Sequence, residues 1–172
     1  MNFQPTLENE LIKIRPLKNQ DKEPLYEVAK DPKIWEQHPC KKYLRTEFEK
    51  FFEESIESKG ALTILDKMTN QIIGSSRFKK VDRFPNGVEI GWTFLDRKYW
   101  GGKYNKKVKD LMIDHAFEYV DNIIFYVNKN NVRSQKAVEK IKGQKISLSE
   151  YEKLPKISSD NETFVIKKQD TK

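Results

Sequence analysis

The amino-acid sequence predicts a mixed α/β fold, on three observations. Short apolar runs in the first half are separated by turn residues, as in antiparallel hairpins, with two helical stripes between them. From Val88 to Ile141 the pattern then alternates strand, helix, strand, helix. No internal repeat and no long Gly/Ser/Pro linker divides the 172 residues, so a single domain, 1–172, is expected.

Leu11 to Leu17 alternates as a strand that ends near Pro16. A short helix starts at Asn19 or Asp21, buries Leu25, Val28 and Ala29, and stops before Asp31-Pro32. Residues 33–45 have no clear period and read as a loop with at most a helical turn. Thr46-Glu47-Phe48-Glu49 has the form of a capping box with Thr46 as N-cap. Phe48, Phe51, Phe52 and Ile56 follow on one face, to about Ser58, and Gly60 ends that helix. Ala61–Leu65 and Gln71–Phe78 flank a turn at Met68-Thr69-Asn70 and form a hairpin.

Asn86-Gly87 marks the next turn, before a strand from Val88 to Leu95. Tyr104, Val108, Leu111, Met112, His115, Ala116 and Tyr119 then recur at helical spacing. Ile123–Val127 is a buried strand, and Asn131 or its neighbour caps a helix facing Ala137, Val138 and Ile141 inward. The segment from Gln144 to Asn161 is polar, and Thr163–Ile166 reads as the last strand.

Composition narrows the function classes. The mean hydropathy of −0.81 reflects a charged surface, because hydrophobic residues still supply 37% of the chain. No apolar run reaches the length of a membrane span, and Met1–Pro5 lacks the basic and apolar parts of a secretory signal. A cytoplasmic protein without membrane attachment is expected. Cys40 has no second cysteine to pair with, and two histidines do not suggest a metal site. The net charge of +7 favours an anionic partner. No nucleic-acid recognition motif accompanies it, and a homodimer is left open.

The feature with most chemical content is the turn Tyr99-Trp100-Gly101-Gly102-Lys103-Tyr104-Asn105, between a strand and a helix. Glycines let backbone approach a ligand, and the unpaired N–H groups of a helix start suit an anion. Lys98, Lys103, Lys106, Lys107 and Lys109 crowd that end, whereas Asp110 and Asp114 come later. Cations there oppose the helix dipole, and a bound anion would relieve the repulsion. A plain strand-to-helix turn with a solvated lysine face is the competing reading.

Glu89-Ile90-Gly91-Trp92-Thr93-Phe94-Leu95 through Trp100-Gly101-Gly102 resembles the cofactor-binding core of the GNAT acetyltransferases. Asn131-Val132-Arg133-Ser134, with Glu139-Lys140 after it, resembles the family's following signature. Ile14-Arg15-Pro16-Leu17 and Asp31-Pro32 are similar to the branch that includes ribosomal-protein N-terminal acetyltransferases of the RimJ/RimL type. The likeness spans roughly residues 10 to 145. It implies a mixed, mostly antiparallel sheet with one splayed parallel pair, flanked by helices. It also implies acetyl-CoA as cofactor, with the pantetheine arm on Phe94-Leu95, the pyrophosphate on Lys98, Trp100, Gly101, Gly102, Lys103, Tyr104 and Asn105, and a contact from Asn131. The sequence departs from the family turn where Lys103 holds its last small position, and Lys107 stands where a glutamate is common.

Acetyl transfer to an amine needs a neutral amine, a polarised thioester and a stabilised leaving thiolate. Glu89, on the strand that would carry the pantetheine, is the candidate base; facing solvent or pairing with a lysine is its alternative. Ser134 is the candidate donor to the sulfur, or else a helix cap, and Tyr126 is a second candidate acid. Trp35 and His38 are candidates for the acceptor side, although Trp35 also fits a core anchor. His38-Pro39-Cys40 lacks a third group to orient a thiol nucleophile. The leading reading is N-acetylation of a protein N-terminus or a small-molecule amine by direct transfer; a CoA-binding module without activity is the alternative. The acceptor would be set by loops around 33–45 and 79–87 and by the tail.

Overall fold

The computed structural model describes residues 1–81, 86–146 and 160–171. Its elements are β1 (Leu7–Glu8), β2 (Ile12–Pro16), α1 (Lys22–Ala29), α2 (Arg45–Glu57), β3 (Ala61–Asp66) and β4 (Ile72–Lys80). They continue with β5 (Gly87–Leu95), α3 (Tyr104–Phe117), β6 (Asn122–Asn128), α4 (Val132–Glu139), β7 (Gln144–Ile146) and β8 (Asn161–Lys167). One eight-stranded sheet runs β1-β2-β3-β4-β5-β6-β8-β7. Neighbours pair antiparallel except β5 and β6, which are parallel.

The two sheet faces carry different helices. Val108, Met112, Ile113 and Ala116 of α3 pack on Ile12, Ile64, Phe78, Ile90 and Phe164 in one core. Leu25 and Val28 of α1 and Phe48, Phe51 and Phe52 of α2 form the other, with Trp35 and Phe94. Phe48 is fully buried, and burial of a phenylalanine side chain contributes ~2 kcal/mol. His115 belongs to the α3 core, its Nε2 2.8 Å from the Asn2 carbonyl oxygen.

Three local readings are corrected. The second helix begins two residues earlier than the capping box requires: Leu44 is the N-cap, without a side-chain cap bond. Thr46 therefore lies inside the first turn, where Arg45 engages Glu23 and Glu49 and fixes the start. The left-handed residue after that helix is Lys59, at φ 50°. Gly60 is required for another reason, since a Cβ there would run into the Phe78 carbonyl oxygen. Two edge strands, β1 and β7, are present where no strand was expected. They are two and three residues long and are held by ladders to β2 and β8. The rest of the polar segment, 147–159, and residues 82–85 of the 79–87 loop lie outside the described residues.

Candidate active site

β5 and β6 pair only at Gly87–Asn122, Val88–Ile123 and Glu89–Ile124. Beyond Glu89 they part, although β5 runs on to Leu95 and β6 stays paired with β8 as far as Asn128. The later half of β5 thus presents an unpaired backbone edge to a wedge-shaped gap. A bulge sits where the split begins: the β4–β5 register shifts between Ser75 and Arg77, and Trp92 takes φ 54°. Val88 and Ile90 face α3 before it, Leu95 and Thr93 after it, so the alternation slips by one residue.

Glu89 faces away from α3, opposite Lys79 of β4. It is 8% exposed, and burial pushes its carboxyl up to about 7 against the opposing pull of Lys79 and Arg77. Tyr126, two residues beyond Glu89's partner Ile124, lies on the same face. Its hydroxyl is buried without a hydrogen-bond partner among the described residues. Burial, then the nearby Glu89 charge, pushes it up to about 12. A carboxyl poised near neutrality and an unused phenol flank the start of the gap.

The glycine turn leads from the open end of β5 into α3. Gly101 has φ 70°, and a Cβ on Gly101 or Gly102 would meet nothing within 4 Å. Both glycines therefore border open space. Lys103 is the N-cap of α3 and makes no side-chain cap bond. The lysine cluster is more satisfied than expected: Lys106 pairs with Asp110 at 2.8 Å, Lys107 with Glu10 at 2.7 Å and Lys98 with Asp96 at 3.4 Å. Neutralised this way, the lysines lose most of their force as an argument for a bound anion. The Tyr104 hydroxyl donates to Asp66 at 2.8 Å, and its ring packs on Tyr99 at 4.6 Å. Asn105 is half-buried. A cavity of about 590 Å³ opens beside Lys98, bordered by Lys13, Arg15, Glu27 and Asp96.

Trp100 and Arg133 join this turn to the third segment of the site. The Trp100 indole N–H donates to the Leu95 carbonyl at 2.9 Å, which occupies that group, and the Arg133 guanidinium stacks 4.0 Å from the indole centroid. Arg133 also donates to the Ile34 carbonyl at 2.9 Å, and its amide donates to Gln37 at 3.1 Å. Asn131 caps α4, its side chain accepting the Ser134 amide at 3.1 Å. Ser134 is half-buried, and since Asn131 performs the capping its hydroxyl is not the cap.

Trp35 is 6% exposed, donates to the Ala29 carbonyl at 2.7 Å and packs on Phe94 at 5.1 Å, which makes it a core anchor. Phe94 is likewise core by its side chain, and its carbonyl oxygen lies against Gly74 of β4 rather than toward the gap. His38 lies 5.8 Å from the Trp35 ring, and its Nδ1 accepts the Cys40 amide at 3.2 Å. Burial pushes it down to about 4, so it is neutral at pH 7.

Sequence reasoning grouped Lys109 with the exposed lysines of the turn and missed its burial, and it missed Arg77 and Lys42 altogether. Lys109 is 6% exposed, donates to Thr93 Oγ1 at 2.7 Å and lies 5.2 Å from the Phe125 centroid, so it bridges the two diverging strands. Burial pushes its amine down to about 7. Its helical phase, one residue after buried Val108, was the available signal. Arg77 and Lys42 carry no such signal, because only the strand register brings Arg77 near Glu89 and only the folded loop brings Lys42 near Arg77.

A family model described as an acetyltransferase (GNAT) domain matches residues 12–144. No curated protein matches the chain. Among solved structures, a GCN5-related N-acetyltransferase from Brucella melitensis superposes with TM-score 0.79 at 14% identity, covering 95% of this chain and 79% of that one. An acetyltransferase from Agrobacterium tumefaciens gives 0.73 at 23% identity, covering 94% of each chain. A ribosomal-protein-S5-alanine acetyltransferase from Vibrio fischeri gives 0.66 at 17%, covering 98% and 99%. These likenesses show a shared fold, a mostly antiparallel sheet with one parallel pair. With the family model spanning most of its length, the chain belongs to the GNAT acetyltransferases.

Proposed function

We propose that the chain is an acetyl-CoA-dependent N-acetyltransferase that passes acetyl directly to a primary amine, a protein N-terminus or a small-molecule amine. The observation that carries this reading is the buried Glu89 carboxyl, held near pH 7 at the point where β5 and β6 separate. The RimJ/RimL-type reading rests on the motifs at Ile14–Leu17 and Asp31-Pro32, and the fold shared with the Vibrio fischeri enzyme is consistent with it.

The residues present fit acetyl-CoA. The unpaired edge of β5 after Glu89 suits the amides of a pantetheine arm, with the Leu95 carbonyl excluded because Trp100 occupies it. The open side of Gly101-Gly102 and the uncapped start of α3 suit a pyrophosphate. Lys98, Trp100, Lys103, Tyr104 and Asn105 frame that turn, and Asn131 fixes the start of α4. When bound, acetyl-CoA supplies an activated acetyl thioester.

The chain's own residues then have distinct tasks. Glu89 Oε takes the proton that an acceptor ammonium must lose before it can react. Its high proton affinity matches it to that step near neutral pH. Ser134 Oγ and Tyr126 Oη are the hydroxyls available to return a proton, and the Tyr126 hydroxyl has no competing partner among the described residues. His38 and the edge of Trp35 border the acceptor side. Arg133, stacked on Trp100 and bonded to Ile34, holds that side in register with the turn. A cytoplasmic location fits this chemistry, and among the described residues no helix is long and apolar enough to cross a membrane.

The test is mass spectrometry of an amine and peptide-N-terminus library after incubation with acetyl-CoA, beside calorimetric titration with CoA. Acetylated products together with CoA binding support the reading. CoA binding with no acetylated product in any pool favours the inactive CoA-binding module instead.

A further inference from the structure

A row of cations and rings passes beside Glu89 on the acceptor side. Lys42 Nζ lies 4.1 Å from the Phe51 centroid, and the Arg77 guanidinium lies 5.9 Å from the same ring. Arg77 stacks 4.5 Å from Trp92, and Lys79 approaches that indole at 5.7 Å. The order is Lys42, Phe51, Arg77, Trp92, Lys79. Arg77 and Lys79 share a face of β4 with Glu89 across from them.

Arg77 is the unusual member. It is 6% exposed, yet its only side-chain hydrogen bond among the described residues is from Nη2 to Ser55 Oγ. Its Nε–H is buried with no partner, and no carboxylate among the described residues lies within ion-pair distance. An unpaired buried guanidinium is costly, because its donors lose water and gain nothing. Ring faces return only part of that cost. Glu89 and Glu54 are the carboxylates close enough to act on Arg77, and Glu54 is exposed. Even with both ionised, the three cations outnumber them. A bare alkylammonium would be repelled here, whereas an acceptor that also carries a negative group would not be.

We propose that the amine acceptor carries an oxyanion, a carboxylate or a phosphate, a few bonds from its amine, and that Arg77 binds it with Lys42 and Lys79 beside it. This rests on the acetyltransferase reading above and deepens it. Donors of Arg77 stay unused at Nε and Nη1, on two edges of the planar guanidinium, and an oxyanion is the acceptor that bonds such donors most strongly. The same site accepts the group from a free amino acid or from an acidic residue next to a peptide N-terminus, and the probes separate these sources.

The test uses matched pairs: 4-aminobutyrate and its amide, phosphoethanolamine and ethanolamine, and peptides that differ by Asp or Asn at the second position. kcat/KM is followed by product mass and thiol release. Calorimetry with the CoA-saturated protein measures acceptor binding independently of turnover. The anionic member of at least one pair is expected to be preferred about tenfold or more, with that preference largely lost in Arg77→Gln and reduced in Lys42→Gln. Lys42 is half-buried in a loop, so its variant keeps the test open if the Arg77 variant fails to fold. Equal kcat/KM and equal heats within every pair, or a preference unchanged in the folded variants, overturn the inference while turnover of neutral amines leaves the acetyltransferase reading intact. Turnover of no amine at all overturns both.

Discussion

Replacing Glu89 by Gln tests the central residue through stability as well as activity. The carboxyl moves from an ordinary 4.5 in the unfolded chain to about 7 in the fold, chiefly by burial. A folded-state value above the unfolded one means that the native protein holds a proton the unfolded chain has released. Stability is therefore full below pH 4.5, falls between 4.5 and 7, and levels off above 7. At ~1.4 kcal/mol per pH unit the loss reaches ~3 kcal/mol. Gln fills the same space without ionising, so Glu89→Gln should match the parent near pH 4.5 and exceed it by ~3 kcal/mol at pH 8. For a chain of this size that corresponds to ~6–12 °C in Tm. Thermal and urea unfolding of both proteins from pH 4 to 8.5 measures the difference, in which the titration of other groups cancels. The same substitution should remove a rising limb near pH 7 from kcat/KM. A stability difference that stays flat with pH, or a variant less stable at pH 8 than at pH 5 relative to the parent, would refute the argument.

Gly101→Val places a β-branched residue at φ 70°, which costs ~1–2 kcal/mol of backbone strain without any packing clash. CoA affinity by calorimetry should be lost or greatly weakened, and unchanged affinity sinks the turn assignment. Ser134→Ala should slow turnover at least tenfold while CoA binding stays within about twofold; equal losses in both would make Ser134 a binding residue only. Lys109→Met removes an amine pushed down from 10.5 to about 7. The parent should gain stability as pH rises from 7 to 10.5, by a few kcal/mol, because the unfolded chain binds the extra proton there. The variant should lack that rise in Tm, and a parallel pH dependence would show that Lys109 reaches water.

Much of the scaffold could be read directly from the chain because its signals are local. The stripe Phe48, Phe51, Phe52 and the turn at Met68–Asn70 lie within single elements. So does the Asn131 cap, observed as an Asn131-to-Ser134 bond. The Thr46 capping box failed for the opposite reason: Arg45, drawn to Glu23 on another helix, decides where α2 starts. β1 and β7 are too short for periodicity to reveal and depend on ladders formed elsewhere. In the candidate site, the motif residues of the turn and of α4 stood out in sequence. The lysines beside them could not be separated into paired and unpaired without seeing Glu10 approach Lys107. Arg77 and Lys42 were illegible because 34 residues of chain, including all of α2, separate them.

The bulge at Trp92 makes β5 a strand read in two frames. Upstream of it, the odd position 89 turns away from α3, toward Lys79 and Arg77, and the even ones toward α3. Downstream the parity is exchanged, so that Thr93 meets Lys109 while Phe94 enters the opposite core. Straightening the bulge with every residue kept would turn Phe94 toward α3 and Thr93 among the aromatics of α2. One inserted residue thus lets a continuous strand aim a carboxyl at one side of the sheet and still close the core on both. A further one-residue insertion between Ile90 and Phe94 that is not absorbed by a second bulge would put the downstream side chains on the wrong faces, and should be among the least tolerated changes in the chain.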